Sequence, residues 1–226
     1  MAEKFNQEET TAEKLDSFLT RNRAPLLTCA LVVIVAVVAV LAVVVIGGKS
    51  TEKGLAKVDS VYYTLTKDAA GLEGDALVSR QDAALEQLES LAKKGGVVGV
   101  RANMLVADLQ FQKKNYEAAK AAYLKVAGAK KNAYTAPLAY FNAATCCENL
   151  QDLDGALANY TLAADAKDFM FVDHALFSVG RVNEAKGDFK AAQEAYNKLN
   201  DTHPSSDWAN LAKTRLIALK AAGSIE

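Results

Sequence analysis

From Leu26 to Ile46 the chain reads LLTCALVVIVAVVAVLAVVVI, an unbroken run with no charge, glycine or proline and one hydroxyl, on Thr28. At about 1.5 Å rise per residue, a helix of this length covers roughly 30 Å, the hydrocarbon thickness of a bilayer. Val and Ile favour strands in water, but in hydrocarbon every backbone N–H and C=O must be paired within the segment, which selects helix. A buried core helix or strand is the competing explanation, and the length and purity of the run disfavour it. A secretory signal has an apolar run of about 7–15 residues behind a short basic stretch. Here a longer polar tail comes first, with Glu3, Glu8, Glu9, Glu13 and Asp16 in it, and no A-x-A cleavage site follows the apolar run, which ends in Gly47-Gly48-Lys49. The expectation is a retained transmembrane helix at 26–46, a tail at 1–25 and a tethered domain at 49–226.

Within the tail, Leu15, Phe18 and Leu19 recur at helical spacing in EKLDSFLTRN, which predicts a short amphipathic helix leading into the span. Past an expected break at Gly47-Gly48, Leu55, Val58, Tyr62 and Leu65 form a helical stripe. Gly71 and Gly74 mark a loop, Asp75 is placed to cap the next helix, and Ala84, Leu85, Leu88 and Leu91 give that helix its apolar face before Gly95-Gly96. Two helices of a hairpin are predicted over 50–96.

From about residue 97 the pattern repeats. NYEAAKAAYLKV at 115–126, DLDGALANYTLA at 152–163 and DFKAAQEAYNKL at 188–199 superpose. Each carries an aromatic or Leu (Tyr116, Leu153, Phe189), then Ala119, Ala156 or Ala192 three positions on, then Tyr123, Tyr160 or Tyr196 four further. Twelve positions before each alanine lies another small residue, Ala107, Ala144 or Gly180. The aligned alanines recur at a nearly constant step, and Ala84 falls at the same place one unit earlier. This period, in the mid-thirties, and the small–aromatic signature resemble the tetratricopeptide repeat. The resemblance implies an all-α fold, an α-solenoid of helix pairs. Its expected parts are a degenerate unit at 50–96, repeats at 100–133, 137–170 and 173–206, and a capping helix at 207–222 carrying Trp208, Leu211, Leu216 and Leu219. The small residue is needed where the two helices of a unit cross, and the tyrosine is expected to fill the gap to the next unit.

Composition narrows the function. The tail holds four basic and five acidic residues, leaving 22 of each sign in the remainder, so the charge that attracts nucleic acid is missing. Of three cysteines, Cys29 lies in the apolar run, and Cys146 and Cys147 are neighbours on a predicted helix, where their side chains diverge. They are expected to be buried thiols, with neither a disulfide nor a metal site formed. His174 and His203 stand far apart in the chain, with no metal-protease spacing, nucleophile elbow or phosphate loop. The sequence therefore predicts no enzyme, no cofactor and no metal.

The first helix of each pair lines the concave face of such a solenoid. In register, that face is Arg101, Met104, Asp108 and Phe111, then Leu138, Phe141, Asn142 and Thr145, then His174, Phe177, Arg181 and Glu184. Met104, Phe111, Phe141 and Phe177 would make an apolar floor for an extended or helical segment of another protein. The alternative is that the capping helix or the first hairpin covers them as core. One repeat subtype clamps a chaperone's terminal carboxylate with Lys, Asn and Arg. Here the matching positions are Met104, Asp108, Asn142, His174 and Ser178, and only Asn142 agrees.

The whole layout, EKLDSFLTRN, one span and then the repeats, resembles the YfgM-like ancillary subunits of the SecYEG protein-export translocon. That likeness implies a bacterial inner-membrane protein with a cytoplasmic tail and periplasmic repeats. Its partners would be the export channel, a membrane-bound periplasmic chaperone and the lipid bilayer. It further implies an adaptor or chaperone-like role. Arg21 and Arg23 against the span favour the same orientation, although Lys49, Lys53 and Lys57 nearly balance them. The alternatives are a scaffold that self-associates through its solenoid ends, or a docking platform facing the cytoplasm.

Overall fold

In a computed structural model, residues 11–129 and 134–226 are described. Among them are ten α-helices and no strand. The tail residues Glu3, Lys4, Glu8 and Glu9, and the expected end of a repeat at residue 133, lie outside the described residues. The chain divides into two units, one up to Glu52 and one from Lys53 to Glu226.

The first unit holds α1 (Thr11–Arg21) and the apolar part of α2 (Arg23–Thr66). Leu15, Phe18 and Leu19 of α1 are exposed, as is every residue from Leu26 to Ile46. Backbone bonding continues across Asn22, whose N–H donates to the Phe18 carbonyl and whose carbonyl accepts from Leu26 N–H, both at 3.0 Å. Among the described residues, α2 is the one helix long and apolar enough to cross a membrane. The expected break at Gly47-Gly48 does not occur, for both glycines lie inside α2. A mid-helix glycine costs only about 1 kcal/mol against alanine. The Thr51 hydroxyl also donates to the Gly47 carbonyl at 2.9 Å.

The second unit begins with the last turns of α2. It continues with α3 (Gly74–Ala92), α4 (Gly96–Gln112), α5 (Tyr116–Ala129), α6 (Thr135–Asn149), α7 (Leu153–Ala164), α8 (Val172–Lys186), α9 (Phe189–Thr202) and α10 (Asp207–Ala221). Asp75 is not the cap expected of it. The N-cap of α3 is Glu73, which makes no side-chain bond, and Asp75 sits in the first turn, where a carboxylate favours the helix dipole. Asp152, Asp188 and Ser206 do cap α7, α9 and α10, accepting from the N–H of Gly155, Ala191 and Trp208.

From α3 onward each helix packs on the next in sequence, and α10 also reaches back to α8. Three of the turns close alike. Lys114, Gln151 and Gly187 are left-handed, at φ 61°, 61° and 78°. The next residue's N–H, on Asn115, Asp152 or Asp188, bonds back to the carbonyl of Gln110, Cys147 or Asn183. This is a Schellman closure, in which one left-handed residue satisfies the last carbonyls of the outgoing helix.

The core is strung along this stack. At one end Val58, Val61, Ala84, Leu88, Leu91 and Val98 join α2, α3 and α4. Ala107, Ala119, Tyr123 and Cys146 form a middle cluster, and Ala144, Cys147, Ala156, Tyr160 and Val182 form the next. The last is built on Leu176, Tyr196, Leu199, Ala209, Ala212 and Leu219. Each fully buried leucine, such as Leu88 or Leu199, contributes about 1.5–3 kcal/mol.

Candidate functional site

The repeat's small–aromatic pattern has a direct geometric meaning. Ala107 packs with Tyr123 and Ala144 with Tyr160, each alanine on the first helix of a pair and each tyrosine on the second. In the last pair Gly180 is pressed so closely by Tyr196 that a Cβ there would overlap the ring's Cε1, Cδ1 and Cζ. The tyrosine therefore covers the small residue of its own unit, sixteen positions back, and shares its cluster with the next helix: Tyr123 with Ala143 and Cys146, Tyr160 with Val182, and Tyr196 with Ala209 and Ala212. Ala119, Ala156 and Ala192 are all fully buried in the same crossings.

Two of the three tyrosine hydroxyls are satisfied. Tyr123 donates to Asp108 at 2.6 Å, and Tyr160 donates to Glu148 at 2.7 Å with Thr145 Oγ1 3.2 Å away. The Tyr196 hydroxyl is buried without a well-formed hydrogen bond, although Glu184 and Arg215 lie near enough to interact with it. Burial pushes all three phenols well above their ordinary range. Burial also raises Asp108, against the Tyr123 hydrogen bond that favours its charged form.

The residues expected on the concave face are held in place by one another. Arg101 is exposed and ion-paired to Asp59 at 2.6 Å. Met104 and Phe111 are half-buried against the middle cluster, with Phe111 edge-on to Tyr116 at 5.4 Å. Leu138 and Phe141 pack on the last cluster. Phe141 also meets Tyr160 at 5.1 Å, Phe169 at 6.2 Å and His174 at 4.7 Å. Asn142 and Thr145 are half-buried. His174 stacks on Trp208, centroids 3.7 Å apart and 8° from parallel, and Phe177 touches Trp208 at 5.2 Å and Tyr196 at 5.6 Å. Ser178 is buried. The aromatic positions of this face thus serve largely as the joints between units.

Charge runs along the same face in pairs. Arg181 grips Glu148 at 2.5 and 2.7 Å, and Arg215 grips Glu184 at 2.6 and 3.1 Å, both two-pronged. Burial acts to raise the Glu148 carboxyl, but the bonds from Arg181 and Tyr160 outweigh it and hold the group below its ordinary range. His174 is lowered, chiefly by burial, which disfavours its charged form where it stacks on Trp208. On the outer side Lys113 pairs with Asp82 and Lys186 with Asp154, each lysine reaching the second helix of the preceding unit.

Glu148 was absent from the expected face because the sequence shows its carboxylate without the arginine it meets, a full unit further along the chain. The equal placement of Glu148 and Glu184, four positions past Ala144 and Gly180, was the available signal. Also unforeseen is an apolar rim at the entrances of α6 and α8. Tyr134 is 83% exposed and Met170 74%, with Phe171 beside them. With Leu138, Asp168 and Phe169 they enclose a small dent. Cys146 and Cys147 are free and buried, and burial pushes the Cys146 thiol up to about 12. Among the described residues no cluster of His, Cys, Asp and Glu could hold a metal ion.

Paired helices stacked through small–aromatic crossings define a helical-repeat module. The chain belongs to the tetratricopeptide repeat-like family, whose domain model matches residues 18–221. It is also similar to a TPR repeat-containing protein of Treponema pallidum (strain Nichols). The identity there is 36% over 172 residues, covering 75% of this chain and 72% of the relative. The repeats make this protein a protein-interaction module, in a family that is not typically enzymatic.

Proposed function

We propose that this is a membrane-anchored adaptor at the protein-export translocon, holding other proteins on the periplasmic side of a bacterial inner membrane. The observation that carries the binding role is the rim of Tyr134, Met170 and Phe171. Side chains so apolar and so exposed are costly in water unless something covers them. They stand at the edge of the face that carries Leu138, Phe141 and His174, so a client segment seated on that face would bury the rim first. Membrane attachment is supported by the exposed apolar run of α2, and it would raise the local concentration of repeats at the export site. The cysteine pair does not oppose an oxidising compartment, since both thiols are buried and Cys146 stays protonated.

Topology is the first test. A cysteine replacing exposed Ser205, with Cys29, Cys146 and Cys147 changed to Ser or Ala, should react with an impermeant maleimide in intact spheroplasts. Protection until lysis would place the repeats in the cytoplasm and remove the export role. In the same cells, a photo-crosslinker at Met170 should give adducts with the export channel or its membrane-bound chaperone. A crosslinker at exposed Lys125 should not, and equal yields from both positions would discount the rim.

A further inference from the structure

Helix α10 has the register of a first helix, and among the described residues no second helix is paired with it. Arg215 grips Glu184 just as Arg181, one unit earlier, grips Glu148. Trp208 stacks on His174 in the column that Leu138 and Arg101 continue. In this register Thr214 takes the small position, one repeat after Gly180, where the other units seat a tyrosine from their second helix. No such helix follows among the described residues. The vacant seat is Leu211, Thr214, Ile217, Ala218 and Ala221, one stripe at helical spacing, with Leu211 48% and Ile217 69% exposed. Small residues along it allow another helix to approach closely.

Charge says what kind of helix. Lys113 and Lys186 each meet an aspartate on the preceding second helix, two positions before its packing alanine. The corresponding pair at this end is Lys220 and Lys190, two cations. Lys190, Lys213 and Lys220 make no ion pair among the described residues, and Asp207, in the first turn, is the one acid of α10. A second copy is a poor occupant. A two-fold contact centred on Thr214 would bring Lys213 against Lys213 of the other copy, and like charges in register are costly.

We propose that α10 accepts an acidic amphipathic helix from a partner protein, which serves as the second helix of the pair that α10 begins. The partner helix carries a small residue, an aromatic four positions later and carboxylates toward Lys213 and Lys220. This surface is separate from the rim at Tyr134 and Met170, so either can fail without the other.

The probe is a synthetic helix-forming peptide with the Ala-x-x-x-Tyr pattern of α7 and glutamates on its flanks, labelled for fluorescence anisotropy against the full-length protein in detergent. Binding should weaken about tenfold or more with Ile217→Glu, a change at an exposed site that leaves helical content intact. It should weaken again with Lys213→Glu and Lys220→Glu together, and a peptide with lysines in place of the glutamates should bind those variants better than wild type. The proposal is overturned if Ile217→Glu binds like wild type, if the lysine peptide matches the acidic one on wild type, or if no peptide binds. It is also overturned, in favour of self-association, if sedimentation shows a dimer that Ile217→Glu dissociates.

Discussion

Gly180 and Tyr196 show how one missing methyl changes a crossing. Where the other units have Ala107 and Ala144, glycine lets the Tyr196 ring occupy the space of a Cβ, and Tyr196 is fully buried with no well-formed hydrogen bond to its hydroxyl. Two effects therefore oppose each other in Gly180→Ala. Alanine favours helix by about 1 kcal/mol, while driving a methyl into a fixed aromatic ring costs about 1–3 kcal/mol. Packing should win, lowering the melting temperature of the full-length protein in detergent. Tyr196→Phe should cost nothing or stabilise, since it removes a buried unsatisfied group. Tyr160→Phe should destabilise, because it takes a donor from half-buried Glu148. Thermal scans of the three variants side by side decide the matter, and a Tyr196→Phe loss as large as that of Tyr160→Phe would show that the Tyr196 hydroxyl is bonded after all.

At the level of elements, the three Schellman closures are chemically unequal. Gly187 adopts its left-handed angles freely, whereas Lys114 and Gln151 hold the same conformation against their own Cβ. Lys114→Gly and Gln151→Gly should each stabilise the protein by about 0.5–1 kcal/mol, less whatever glycine costs in the unfolded chain. Denaturant midpoints of the single and double variants measure this, with near-additive gains expected because the turns belong to different units. The helix crossings also bear on how a binding test is built. Phe141 and Phe177 are joints between pairs, so Glu at either position reports on folding as much as on binding. Exposed Met170 and Tyr134 can be changed without opening the core.

For the whole repeat unit, stability should fall with acid in two steps. His174 is lowered by burial, so the folded state resists its protonation and stability is lost as pH drops below the ordinary histidine value of 6.5. Glu148 is held below its ordinary value of 4.5, so its contribution is present above that pH and is lost as pH falls through the depressed value. Asp108, raised by burial, works the other way and softens the second step. Melting temperature against pH at constant ionic strength should show both. His174→Gln should flatten the upper step and Arg181→Gln the lower. An upper step unchanged in His174→Gln would reassign it to another group.

The all-helical class, the repeat period and the apolar run were legible in the sequence because each rests on local spacing. Small and aromatic residues recurring at one fixed period mark a repeated helix pair before any contact is known, and an uncharged run as long as Leu26 to Ile46 needs no tertiary context to be recognised. What lay beyond the sequence depended on register between helices. The break at Gly47-Gly48 failed because glycine's helix cost is small beside the bonding of a long helix. Which partner each tyrosine covers, and the arginine that finds Glu148, depend on side chains brought together across successive pairs. The half-unit at α10 is marked by the grip of Arg215 on Glu184, a contact between helices that local spacing does not contain. Local spacing decides the elements, because it acts within a few turns of one helix. Contacts between units decide which faces are spent on packing and which stay open, because that is a sum over neighbours the chain supplies a whole repeat away.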